Sequence, residues 1–181
     1  MGCGKSSVGK ILATLLPECR LIDLDTYIEE KQGKNIPEIF NEYGEAAFRR
    51  MEREALEEIF SDKSRPRAIL SLGGGTVTSE QCRQLIRQHT DCFYLRATTD
   101  TLLDNLEGHS DRPPILNPTQ PADAPPTEAP SQRDAPHRRV ESLMQTRSPQ
   151  YLATAHHIID IDGLSFAQIA EAVEDNILNI K

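Results

Sequence analysis

Gly2-Cys3-Gly4-Lys5-Ser6-Ser7 runs straight into an apolar-periodic stretch that predicts a helix over Ser6 to Leu16. Together they form the back half of the phosphate-loop pattern G-x-x-x-x-G-K-[ST]. Glycines at these positions let backbone N–H groups turn inward around phosphate oxygens, while Lys5 reaches the β- and γ-phosphates and the Ser6 hydroxyl ligates Mg²⁺. The helix that follows points its positive end at the same anion. Gly2, Cys3, Gly4, Lys5, Ser6 and Ser7 are therefore the candidate ATP site, with Lys5 as a catalytic cation. The full pattern has an earlier glycine and, ahead of it, an apolar strand; neither has a place upstream of Met1. The expectation is that Met1 is an internal methionine of a longer protein and that the first strand is missing. Its absence would leave unpaired strand edges on both sides of an apolar slot.

Beyond this loop, short apolar runs recur at Leu21 to Asp23, Ala68 to Leu72, Asp91 to Leu95 and His157 to Ile161. Helical periodicity separates them: Ile36 to Phe60 with a break near Gly44, Ser79 to Gln88, Thr98 to Leu106 and Ser165 to Leu178. Thr98 and Ser165 are placed to cap their helices, since a hydroxyl there accepts from an otherwise unpaired first-turn N–H. Strands alternating with helices predict an α/β protein with a parallel sheet between helical layers, and 181 residues suit one domain. The stretch from Pro113 to Pro136 breaks the rhythm. It is crowded with Pro, Ala, Asp, Thr and Gln, carries almost no large apolar residue after Leu116, and reads as a mobile surface loop.

Composition excludes several functions. The formal net charge is −8 and no tract of five or more Lys/Arg occurs, which argues against nucleic acid or acidic lipid as a general partner. No apolar stretch approaches the roughly 20 residues of a membrane-spanning helix, and no charged-then-apolar leader pattern opens the chain. A cytoplasmic protein without membrane contact is expected. Cys3, Cys19, Cys82 and Cys92 lack metal-ligand or disulfide spacing and read as reduced thiols. His156 and His157 are adjacent on a predicted strand and face opposite ways, which disfavours a shared metal.

A second constellation concerns the acceptor. Asp23 and Asp25 close the second apolar run as D-x-D, a pattern that on a strand puts both carboxylates on one side at the sheet's C-terminal edge. The ordered series Asp23-Leu24-Asp25-x-x-Ile28-Glu29, Ile36-x-Glu38-Ile39-Phe40, Gly44-Glu45-x-x-Phe48-Arg49-x-x-Glu52, Gly73-Gly74-Gly75, Arg112-Pro113 and Arg147-x-Pro149-x-Tyr151 resembles shikimate kinase. The resemblance runs from Gly2 to about Tyr151. It implies a three-layer P-loop NTPase fold forming a single kinase domain over residues 1–181, with a lid at about 108–138. It also implies transfer of the γ-phosphate of ATP to the 3-hydroxyl of shikimate, with Mg²⁺ as cofactor.

Carried over by position, the resemblance implies that Asp25, Arg49, Gly73, Gly74, Gly75 and Arg147 bind shikimate. The two arginines would share its carboxylate, a planar pairing that suits the guanidinium fork. Asp25 is the candidate base, Asp23 a metal-shell carboxylate acting through water, and Arg112 the lid arginine over the transferring phosphates. Glu52, an i,i+3 neighbour, would hold Arg49 in place. The stretch Leu103-Asp104-Asn105-Leu106-Glu107 departs from the family in lacking basic residues before the lid arginine, and Arg133, Arg138 and Arg139 are the nearest substitutes. A monomer acting on ATP and shikimate is expected; the competing readings are a P-loop kinase for another small acceptor and a catalytically silent, kinase-like binding module.

Overall fold

The structure, a computed structural model, describes residues 2–62, 67–107 and 135–179. Elements follow in the order α1 (Lys5–Leu15), β1 (Arg20–Asp23), α2 (Leu24–Gln32), α3 (Ile36–Ser61), β2 (Ala68–Ser71), a 3-10 turn (Thr76–Thr78), α4 (Glu80–His89), β3 (Phe93–Arg96), α5 (Thr99–Glu107), α6 (Ala135–Thr154), β4 (His157–Asp160) and α7 (Phe166–Asn179). Both strand pairs are parallel. β1 lies beside β2 with Arg20 opposite Ala68 and Asp23 opposite Ser71, and β3 lies beside β4 with Phe93 opposite His157 and Arg96 opposite Asp160. Among the described residues these are two separate two-stranded sheets, so β2 and β3 each keep a second edge without a strand partner. A cleft runs between Leu72 to Gly74, beyond the end of β2, and Phe93 to Leu95 of β3, with Cys3 and Lys5 also on its wall.

Each sheet carries its own apolar core. Val8 and Leu12 of α1, Leu95, Leu102, Ile159, Ile161, Ile169 and Val173 bury one; Ile22, Leu24, Ile28, Ile39, Leu56, Cys82 and Ile86 bury the other. Removing a side chain of this size from water contributes about 1.5–3 kcal/mol. Helix ends are set by local chemistry. Ser79 accepts from the Cys82 N–H, Ser165 from the Gln168 N–H and Thr98 from the Thr101 N–H, while Asn35 and Glu38 exchange hydrogen bonds as a capping box. Gly44 (φ 75°, ψ 171°) breaks α3 where the sequence placed the break. Described strand and helix boundaries lie within about two residues of the expected ones, except at two places.

The first correction concerns D-x-D. Asp23 is the last residue of β1, but its Oδ1 accepts from the backbone N–H of Asp25 (3.1 Å) and of Thr26 (3.4 Å), which starts α2 at once. Asp25 therefore sits in the first turn of a helix, and strand alternation does not relate the two carboxylates. The second is α6. No helix was expected over Ala135–Thr154, and its first residues overlap the end of the loop predicted to Pro136; the rest of that loop, and the expected lid up to residue 134, lie outside the described residues. Arg138 and Arg139 are exposed on this helix. His156 and His157 have separate partners: the Nδ1 of His156 accepts from the Cys92 N–H, and the His157 ring stacks on Phe93. All four cysteines are free thiols. No helix among the described residues is long and apolar enough to cross a membrane.

Candidate active site at the strand ends

The phosphate loop is shaped by where its glycines must go. Gly4 adopts φ 73°, in the left-handed region, immediately before α1, and a Cβ there would stand 2.4 Å from a Phe166 ring carbon. The first residue of α7 thus packs on the loop, and only a residue without a side chain fits. Lys5 Nζ lies 3.5 Å from Cys3 Sγ. Burial pushes the Cys3 thiol up, but the nearby positive charges, Lys5 first among them, together with hydrogen bonds from Lys5, outweigh it and carry the pKa below its ordinary value. Ser7, next in the helix, is half-buried.

Ser6 joins the loop to the end of β1, because its hydroxyl donates to Asp23 Oδ2 at 3.2 Å. A hydroxyl and a carboxylate this close form an all-oxygen donor pair of the kind that a hard divalent cation accepts, with water completing its shell. Among the described residues no cluster of three or more His, Cys, Asp or Glu forms a cage of its own, and Ser6 with Asp23 are residues whose oxygens could hold a divalent cation.

Asp25 stands further in. Burial first, then the charges of Asp23 and Glu52, push its carboxyl up to about 6, with Lys5 pulling in the opposite direction. Such a group holds its proton weakly near neutral pH and exchanges it readily.

Arg49 is held from several sides. Its Nη1 donates to Glu52 at 2.6 Å and its Nη2 to Glu45 at 2.9 Å, and the guanidinium lies 5.5 Å from the centroid of the Phe48 ring. Glu52 is fully buried and its other oxygen accepts from Thr76 Oγ1 at 2.6 Å, so that carboxylate is paired on both sides. The Nε of Arg49 is buried without a hydrogen-bond partner. The triple glycine closes on these groups: a Cβ on Gly75 would stand 2.2 Å from Arg49 Nη2, and one on Gly73 would stand 2.9 Å from Asp25 Oδ1 and 3.2 Å from Glu52 Oε1.

The structure thus brings Asp25 against Gly73 and Arg49 against Gly75, with Glu52 between the two sets, and puts Ser6 in contact with Asp23. Arg147 is half-buried on α6 and makes no hydrogen bond or ion pair among the described residues. One turn later the Tyr151 hydroxyl donates to the Gly74 carbonyl at 2.6 Å, which docks that face of α6 on the glycine turn. Arg112 lies outside the described residues. Sequence reasoning missed Thr76 and Glu45 as partners in the Arg49 network. Glu45 was within reach as an i,i+4 neighbour of Arg49; nothing in the local pattern marks Thr76.

Comparison with known proteins follows the same line. The family model described as shikimate kinase matches residues 1–178. A shikimate kinase of Chlorobaculum tepidum is 37% identical over 151 residues, covering 83% of this chain and 73% of the relative. A shikimate kinase of Thermus thermophilus is 32% identical over 177 residues, covering 98% and 85%. Among solved structures, the shikimate kinase from Acinetobacter baumannii in complex with shikimate superposes with a TM-score of 0.79 at 31% identity, over 100% of this chain and 90% of that one. The Bacteroides thetaiotaomicron enzyme superposes with a TM-score of 0.81 at 26% identity, over 98% and 93%.

Proposed function

Because the chain belongs to the shikimate kinase family, we propose that it moves the γ-phosphate of ATP to the 3-hydroxyl of shikimate, releasing ADP and shikimate 3-phosphate for aromatic amino-acid biosynthesis. The observation that carries this reading is the Arg49 guanidinium, anchored by Glu45 and Glu52 yet left with a buried, unpartnered Nε beside a glycine turn that allows close approach. A donor held rigid and unsatisfied suits a carboxylate, which gains charge-assisted hydrogen bonds without having to reorganise its host. Arg147 meets the same carboxylate from α6, and Gly73 to Gly75 let the hydroxylated ring lie against backbone.

ATP occupies the Gly2 to Ser7 loop, with Lys5 on the β- and γ-phosphates and Arg112 over the transferring group. Ser6, and Asp23 through water, would hold Mg²⁺, which would supply charge neutralisation at the phosphate oxygens. Asp25 takes the proton of the attacking hydroxyl, a task matched to a carboxyl whose pKa lies about 6. Little covalent work is left to the protein, and positioning with charge compensation supplies most of the rate. The chain works as one kinase domain, as a cytoplasmic monomer, with a lid at about 108–138.

The test is ADP release with Mg-ATP, with and without shikimate. Saturable, shikimate-dependent turnover is expected, with phosphorus NMR locating the new ester on the 3-hydroxyl. ADP release indifferent to shikimate, or an active enzyme for another acceptor only, would sink the proposal. A second expectation concerns pH. The base is ionised above its pKa and protonated below, so kcat/KM for shikimate should fall about tenfold per pH unit below an inflection near 6. A flat profile down to pH 5 would remove Asp25 from that role.

A further inference from the structure

The carbonyls of the triple-glycine turn are not satisfied alike. Gly73 O accepts from the Thr76 N–H at 3.2 Å, and Gly75 O accepts from the Thr78 N–H at 3.0 Å and the Thr78 hydroxyl at 2.7 Å, all within the turn. Gly74 O is different: its partner is the Tyr151 hydroxyl, 2.6 Å away and 77 residues along the chain. The Tyr151 ring is itself seated, stacking on Tyr94 of β3 with centroids 5.1 Å apart. The helix end is pinned as well, since Arg87 Nη1 donates to the carbonyls of Ala153 (2.9 Å) and Ala155 (3.2 Å) at the C-terminus of α6.

A trans peptide is planar, so its C=O and the following N–H point in opposite directions. Fixing Gly74 O toward Tyr151 therefore turns the Gly75 N–H to the other side of the turn. Gly75 is buried, and no described residue accepts from that N–H. Buried backbone donors are nearly always paired in folded proteins, so one left over beside the Arg49 guanidinium marks a place for an acceptor atom from outside the chain.

We infer that Tyr151 is a positioning residue, which holds the Gly74–Gly75 peptide so that the Gly75 N–H faces the bound acceptor and ties this donor to the helix carrying Arg147. The inference rests on reading the pocket as the shikimate site. Without the hydroxyl, Gly74 O has no partner within the turn, and the peptide is free to rotate its N–H out of line.

Tyr151→Phe keeps the ring and its stack on Tyr94 while removing one hydrogen bond. In the full chain we expect KM for shikimate to rise about 5- to 10-fold, KM for ATP to stay within about twofold, and amide hydrogen exchange at residues 73–78 to quicken in the absence of any substrate while residues 5–15 stay unchanged. Equal changes in both KM values, or neither KM nor exchange responding, would overturn the inference. Should the variant not fold, the unsubstituted protein decides: bound shikimate, verified by calorimetry, slows exchange of the Gly75 amide if the inference holds and leaves it unaltered if it does not. If calorimetry finds no shikimate binding, the substrate reading fails, and the substrate-free exchange comparison alone judges the Tyr151 clamp.

Discussion

Asp25→Asn should lower kcat by about 10²–10⁴ and, at neutral pH, make the protein more stable. Both effects have one origin. An unfolded chain ionises this carboxyl near its ordinary value of 3.8, whereas the folded chain keeps the proton until about 6. Between these values the folded state binds more protons than the unfolded state, so the stability Asp25 contributes is fully present below about 4 and is lost as pH rises through 6. Two pKa units correspond to roughly 3 kcal/mol; Asp25 keeps some contact with solvent, so about 1–2 kcal/mol is the expected gain for a neutral side chain of the same shape at pH 7. The gain should vanish near pH 4. Denaturant midpoints at both pH values, beside kcat at pH 7, check this. Turnover within tenfold of the parent would show that the carboxylate is not the base, and an equal gain at pH 4 would show that charge is not what Asn relieves.

Arg49→Met should act on both binding and folding. Its guanidinium pairs with Glu52, which has no solvent exposure and whose other hydrogen bond among the described residues is to the Thr76 hydroxyl. Removing one member of such a pair leaves a buried charge, and the expected loss is about 3–5 kcal/mol. KM for shikimate should rise at least about a hundredfold, through loss of the charge-assisted contact we propose between Arg49 and its carboxylate. The two losses can be separated. Adding Glu52→Gln removes the stranded charge and should restore most of the stability while leaving KM high. Thermal unfolding and steady-state kinetics on the single and double variants read this directly; a double variant that regains affinity would mean that Arg49 acts only through the fold.

What was legible in the sequence is what depends on near neighbours. The phosphate loop is a run of contiguous residues, Arg49 and Glu52 are one helical turn apart, and Ser79, Thr98 and Ser165 cap helices that start within a residue or two of them. The acceptor residues were legible only through the resemblance, because Asp25, Arg49 and Gly73 to Gly75 come together by tertiary packing. Where reading failed, a local device competed with the pattern. Asp23-Leu24-Asp25 has the alternation of a strand, but the Asp23 side chain accepts from two N–H groups and turns the chain into α2. α6 was hidden by Pro149 and by the scarcity of large apolar residues in its first turns. Thr76 and the Gly74 carbonyl find their partners 24 and 77 residues away, where no window along the chain could show them.

The pairing of β3 with β4 has a consequence for what the intervening chain can tolerate. Arg96 and Asp160 face each other across that pair although 64 residues separate them, and everything from α5 through residues 108–134 to α6 lies inside the loop they close. The entropy of closing a loop rises only with the logarithm of its length, so even doubling this one costs about 0.6 kcal/mol. Chain length between Arg96 and Asp160 therefore weighs little on the folding equilibrium, and the pairing of β3 with β4 sets no narrow limit on it.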